Sequence, residues 1–264
     1  KLKFTDKVID ASSINLTTSS LEITQDENFK PYNRYIDIGG LRIFGLDGVS
    51  DSFLKKVAAT YEAMLATNSL IDTEQRATFI ETIENNYVFQ KVGVEGPEYY
   101  GGDNNFQKLH LQHPINGNYR DEHTDFIWEG TSRTIGEKTN IQAAAYQTGT
   151  VIEHLLHTIT SVGFRLVYPD WKWADSSSSI NLAMQQAIDG GYYDISSYAS
   201  VLDRDPEGHM FTIVTEFSFW LVLAEWEYFE ITAKVGSKEF PNTEFTLRTA
   251  SDIADKLPLA HQLY

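Results

Sequence analysis

The sequence predicts an α+β fold, and three observations carry that prediction. Short apolar runs cluster in the first half of the chain around a Gly-Gly pair, while long apolar stripes at helical spacing dominate the second half. Between them, residues 95–137 are rich in chain breakers: Gly96-Pro97, Gly101-Gly102, Asn104-Asn105, Gly117 and Gly130.

Taken in order, residues 1–34 show no sustained period and read as an irregular arm or as edge strands. Tyr35–Ile38 and Leu41–Phe44 flank Gly39-Gly40, a pair that favours a hairpin turn. Ser50 is placed as an N-cap with Val49 and Leu54 as a hydrophobic staple, and Phe53, Val57, Tyr61, Met64 and Leu65 give a helix over about 51–67. Asp72 or Thr73 caps a second helix, whose inner side carries Phe79, Ile80 and Ile83. Tyr87–Val94 reads as a strand and 95–137 as a long loop. From Thr139 to Val162 a helix buries Ile141, Ala145, Thr148, Ile152, Leu155 and Ile159. Phe164–Tyr168 reads as a strand ended by Pro169, and Ile180–Asp189 as a helix stopped by Gly190-Gly191. Phe211–Ile231 reads as a second strongly apolar helix with Glu216 inside it. The last residues, Leu257–Tyr264, are apolar enough to dock on the core.

Composition narrows the function. Asp and Glu number 37 against 21 Lys and Arg, a formal charge of -16. Phosphate backbones and acidic leaflets attract clustered positive charge, and the basic residues here are scattered, so no nucleic acid and no anionic membrane is expected as a partner. No run approaches the roughly 20 apolar residues of a membrane span, since even Phe217–Tyr228 is broken by Ser218, Glu225 and Glu227. Hydrophobic residues at 42% with only 7 Pro can bury a large core. With no Cys, any metal must be held by His and carboxylates. The polar opening, rich in Ser, Thr, Asp and Asn after an initial Lys, is the expectation for a secreted or periplasmic protein after signal-peptide removal; a trimmed start accounts for it equally. Gly-x-Ser-x-Gly, the Gly-x-x-x-x-Gly-Lys phosphate loop and a post-strand Gly-x-Gly-x-x-Gly are all absent.

Glu153-His154-Leu155-Leu156-His157 is the densest group of ligand-type side chains. Residues four apart lie about 40° apart around an α-helix and residues three apart about 60°, so Glu153, His154 and His157 share one face. All three could reach one ion; an ordinary polar helix face with two hydrogen-bonded histidines is the competing reading. His110, His113 and His123, set among Tyr99, Tyr100, Phe126 and Trp128, make residues 95–130 a candidate wall of the same cleft.

The segment from Thr150 to Ile159 resembles the active-site helix of zincin metallopeptidases, whose motif is His-Glu-x-x-His, with the first two letters exchanged. Glu153 stands where that family has its first ligand and His154 where it has the general base; His157 stands in the family position. The inverse motif is absent, because Thr150 occupies its first place. The order of elements is similar to gluzincin-type domains, in which a Glu on a downstream helix is the third ligand, and Glu216 fills that role here. The resemblance implies a zincin-like α+β domain over 35–264. It has two packed lobes, a sheet lobe with its loop at 35–138 and a mostly helical lobe at 139–264, with the motif helix central. It implies a metal-dependent, peptidase-like hydrolase acting on a peptide or protein, with Glu153, His157 and Glu216 binding Zn and His154 as base or fourth ligand. Two carboxylates make the site harder, so Mn or Fe also suit it. Two alternatives stay open: His154 and His157 as ligands with Glu153 as base, and a catalytically inactive secreted binding protein working through its aromatic loop.

Overall fold

The computed structural model describes residues 20–65, 72–94, 115, 118–119, 125–130, 140–229 and 244–264, with the backbone alone over 140–146. It is α+β: a five-stranded mixed sheet ahead of a mostly helical second half. The strands are β1 (Thr24–Gln25), β2 (Arg34–Ile38), β3 (Leu41–Gly45), β4 (Phe89–Gly93) and β5 (Phe126–Trp128), and they lie side by side in chain order. The first two pairings are antiparallel, whereas β3 with β4 and β4 with β5 are parallel.

The β2–β3 hairpin turns on Gly39 and Gly40, at φ +52 and +80, the doubly left-handed geometry that matches strand twist. Gly40 is also a contact point: a Cβ there would lie 2.4 Å from the carbonyl oxygen of Ile80. Gly40→Ala therefore combines backbone strain with overpacking and is expected to cost about 2–4 kcal/mol. A fall in urea midpoint at unchanged slope checks this, and an unchanged midpoint contradicts it.

Helix α1 (Asp51–Met64) starts where Ser50 accepts a hydrogen bond from the Phe53 amide, and α2 (Thr73–Asn85) where Asp72 accepts from Glu74 and Gln75. Helix α3 (Asn140–His157) buries Thr148, Ile152 and Leu155 and packs against α1, β5 and α5 (Pro206–Glu225). Ile141 and Ala145 lie outside the described side chains. Helix α5 is apolar on nearly every side, which makes it a core helix. Phe217, Phe219, Leu221, Val222 and Leu223 are fully buried, each worth about 1.5–3 kcal/mol of transfer. Helix α4 (Ser179–Asp189) ends at Gly190. The docked tail forms α6 (Ala250–Lys256) and α7 (Pro258–Leu263), with Leu257 and Ala260 fully buried. No helix among the described residues is long and apolar enough to cross a membrane.

Three sequence expectations need correction. Phe164–Tyr168 is not a strand: α3 runs on through a π-helical segment, Thr158–Phe164, and a short α-turn, Arg165–Val167. A short run of bulky residues suits a strand or a buried helix equally, and period alone cannot separate them. Here Phe164 packs on Phe79, Tyr168 and Trp171 (ring centroids 5.6, 5.6 and 4.8 Å). Only Tyr168 is extended, as a residue before proline prefers. Second, the segment read as pure loop contains β5, whose three residues are too few to show a period. Third, α5 begins at Pro206 rather than Phe211, capped by Asp205 with proline at its first position. Its α-helical stretch ends at Glu225; Ile231 lies outside the described residues, as do residues 1–19 of the arm.

Candidate metal centre

Three elements converge on the end of α3. Parallel pairing of β5 with β4 sets Asp125, the residue before β5, beside the last turn of α3. The π segment brings α3 against α5, where Ser161 Oγ and Thr215 Oγ1 share a buried hydrogen bond of 2.6 Å, one residue before Glu216. The His157 ring rests edge-on against Phe219, three residues beyond Glu216 (5.6 Å between centroids).

The result is two overlapping groups around His157. Glu153, His157 and Glu216 each offer one ligand atom, and these atoms lie within 4.8 Å of one another. Asp125, His154 and His157 form the other group. Distances tell the two apart. Asp125 Oδ2 lies 2.6 Å from His154 Nδ1 and 2.5 Å from His157 Nδ1, which are hydrogen-bond lengths. Two ligands about 2.1 Å from one tetrahedral ion stand about 3.4 Å apart. The 3.6 Å between His157 Nε2 and Glu216 Oε2 is of that size and too long for a hydrogen bond. His157 Nε2 is buried and has no hydrogen-bond partner among the described residues. Asp125 thus stands where an outer carboxylate would orient the imidazole, and Nε2 lies toward Glu216. The residues fit a divalent cation: two carboxylate oxygens and an unsatisfied imidazole nitrogen.

The electrostatics are those of carboxylates and imidazoles facing one another. Burial opposes ionisation of Asp125, but the positive charge and hydrogen bond of His154, with the hydrogen bond of His157, hold it well below the usual carboxylate range. Burial pushes Glu153 up, only partly offset by His154 and His157. Burial works against both imidazolium ions. For His154 the charge and hydrogen bond of Asp125 outweigh it; for His157 the charge of Glu216 and the hydrogen bond to Asp125 do so, and its pKa stands well above the ordinary value.

The direction of pH dependence follows for the metal-free chain. The raised histidines contribute stability that is full below their ordinary value of 6.5 and lost as pH rises through their folded values. Glu153, raised above 4.5, becomes a destabilising buried charge in the same direction. Chelator-treated protein is expected to melt at lower temperature as pH is raised from 6.5 to 9. A melting temperature that holds steady or climbs over that range contradicts this.

Glu153, His157 and Glu216 come together, while His154 lies behind them on the Asp125 side, its ring 5.2 Å from Trp128 and 5.7 Å from His157. His110, His113 and His123 lie outside the described residues. The segment that carries them does reach the site, through Asp125, which sequence reasoning did not single out. Glu244 was also missed: it stands near Glu216, and its Oε1 accepts from Tyr198 Oη (2.9 Å) and Trp220 Nε1 (3.0 Å). Neither acid has a spacing signal, since each acquires neighbours only through long-range packing. Comparison with protein-family models, curated proteins and solved structures gives no match to this chain.

Proposed function

We propose that the chain is a metal-dependent hydrolase of peptidase type on a zincin-like fold, with Glu153, His157 and Glu216 holding the ion and His154 as general base. The observation that carries this reading is the buried Nε2 of His157, without a hydrogen-bond partner among the described residues and at a shared-ligand distance from Glu216. A divalent ion in this position supplies Lewis acidity toward a peptide carbonyl and toward water. Asp125 does the orienting: with Nδ1–H of His157 donated to its carboxylate, the lone pair of Nε2 faces the glutamates. His154 is tied to the same carboxylate by Nδ1, so Nε2 is the nitrogen left to exchange a proton. Asp125 raises the pKa of His154, and a bound ion would oppose that with its own positive charge, favouring the neutral form that accepts a proton from water. Zn suits the site, and the two glutamates make Mn or Fe compatible.

The rival reading, a binding protein without catalysis, draws on one observation: both Nδ1 atoms are already hydrogen-bonded to Asp125 within the protein. Protein loaded with Zn or Mn and offered a quenched-fluorescent peptide library separates the two. The hydrolase reading expects cleavage that stops on chelation, and expects His154→Ala to lose about 100-fold or more in rate while retaining its metal. A stoichiometric ion without cleavage of any peptide gives the function to the binder.

A further inference from the structure

We infer that Gln90, with Thr158, is a positioning device for this centre: it fixes Asp125, and through Asp125 the direction of His157 Nε2. The inference rests on the metal-centre reading for its consequence, though not for its geometry. Gln90 is the second residue of β4 and is fully buried, where a polar side chain is costly unless every atom is satisfied. Here each one is. Nε2 donates to the carbonyl of Asp125 (2.5 Å) and to that of Lys91 (3.2 Å), and Oε1 accepts from Thr158 Oγ1 (2.5 Å). Thr158 directly follows His157 and is itself buried.

One amide therefore joins the backbone of Asp125 to the helix turn that carries His157. Asp125 is pinned on its other side as well, because Oδ1 accepts from the Phe126 amide (2.6 Å) and leaves Oδ2 to face both imidazoles. Asp125 directly precedes a strand of only three residues, and the buried amide ties it to the sheet and the helix at once. A hydrophobic residue at position 90 would fill the same volume without that tie, so packing does not account for a glutamine.

The test uses the whole chain, first metal-free. Imidazole N–H signals of His-labelled protein, read by NMR at one fixed pH, report the two Nδ1 hydrogen bonds to Asp125. Thr158→Val removes the hydroxyl at nearly constant shape, Thr158→Ser restores it, and Gln90→Glu keeps the acceptor for Thr158 but loses the donor to Asp125. The expectation is that Thr158→Val and Gln90→Glu shift these signals or lose them to water exchange. Zn affinity is expected to fall about 10–100-fold, the usual cost of removing an outer partner, with Thr158→Ser close to wild type in both. Folded Thr158→Val and Gln90→Glu proteins with wild-type imidazole signals overturn the inference. If the wild-type chain takes up no Zn, the metal-centre reading fails by itself, and the metal-free signals still decide whether Gln90 positions Asp125.

Discussion

Replacing His157 by alanine is expected to abolish metal-dependent stabilisation of the chain. A ligand bound only by the native state contributes about 2.7 kcal/mol at a hundredfold excess over its dissociation constant, a rise of roughly 5–10 °C in melting temperature for a chain of this size. The substitution removes Nε2, the buried nitrogen without a hydrogen-bond partner among the described residues, and leaves Glu153 and Glu216 without the imidazole of their group. Loss of a direct ligand should exceed the about 100-fold that loss of an outer partner costs, so added Zn or Mn should not move the melting curve. The check is differential scanning calorimetry of both proteins with chelator and with excess ion. A His157→Ala curve that still responds in full would place the metal elsewhere.

The second large effect belongs to Asp125. Its Oδ2 is the partner of both imidazoles; without it burial drives His154 toward neutrality, while His157 keeps the charge of Glu216 against burial but loses its hydrogen-bonded carboxylate. Asp125→Ala is expected to destabilise the metal-free chain by about 2–4 kcal/mol at pH 6, where protonated His154 loses its principal counter-charge and protonated His157 loses one of its two. The loss should shrink toward pH 9, because neutral imidazoles need no counter-charge. Urea unfolding at both pH values measures it. Metal affinity should fall about 10–100-fold, as His157 is no longer held with Nε2 forward. A penalty equal at pH 6 and pH 9 would mean that Asp125 serves packing rather than charge.

The fold was readable where a local rule is strong. Ser50 and Asp72 cap helices, Gly39-Gly40 turns the hairpin, Gly190 ends α4, and the tail docks, all by chemistry within a few residues. The stripe on α3 placed Ile152 and Leu155 in the core, and helical spacing placed Glu153 and His157 one turn apart. Glu216 required the resemblance, since nothing local marks it. What escaped depends on distant partners. Asp125 is one of 37 acids, and its role arises only because β5 pairs in parallel with β4. Gln90 is an isolated polar residue in a strand until Thr158 comes up against it. The π segment depends on close packing against α2: a Cβ on Gly163 would lie 2.7 Å from the Phe79 ring, a contact with no signature in the segment's own period.

Direct measurement of metal uptake tests the central claim. Chain stripped with chelator, dialysed and titrated with Zn or Mn by isothermal calorimetry should bind one ion per chain, and elemental analysis after gel filtration should recover it. Because the ion displaces the proton on His157, affinity should rise about tenfold per pH unit while that imidazole remains protonated in the free chain, and Glu216→Gln should weaken it. Absence of binding heat and of retained metal across pH 6–9, in chain shown by circular dichroism to be folded, would contradict the account and leave Asp125, His154 and His157 as a partly buried ion-paired cluster.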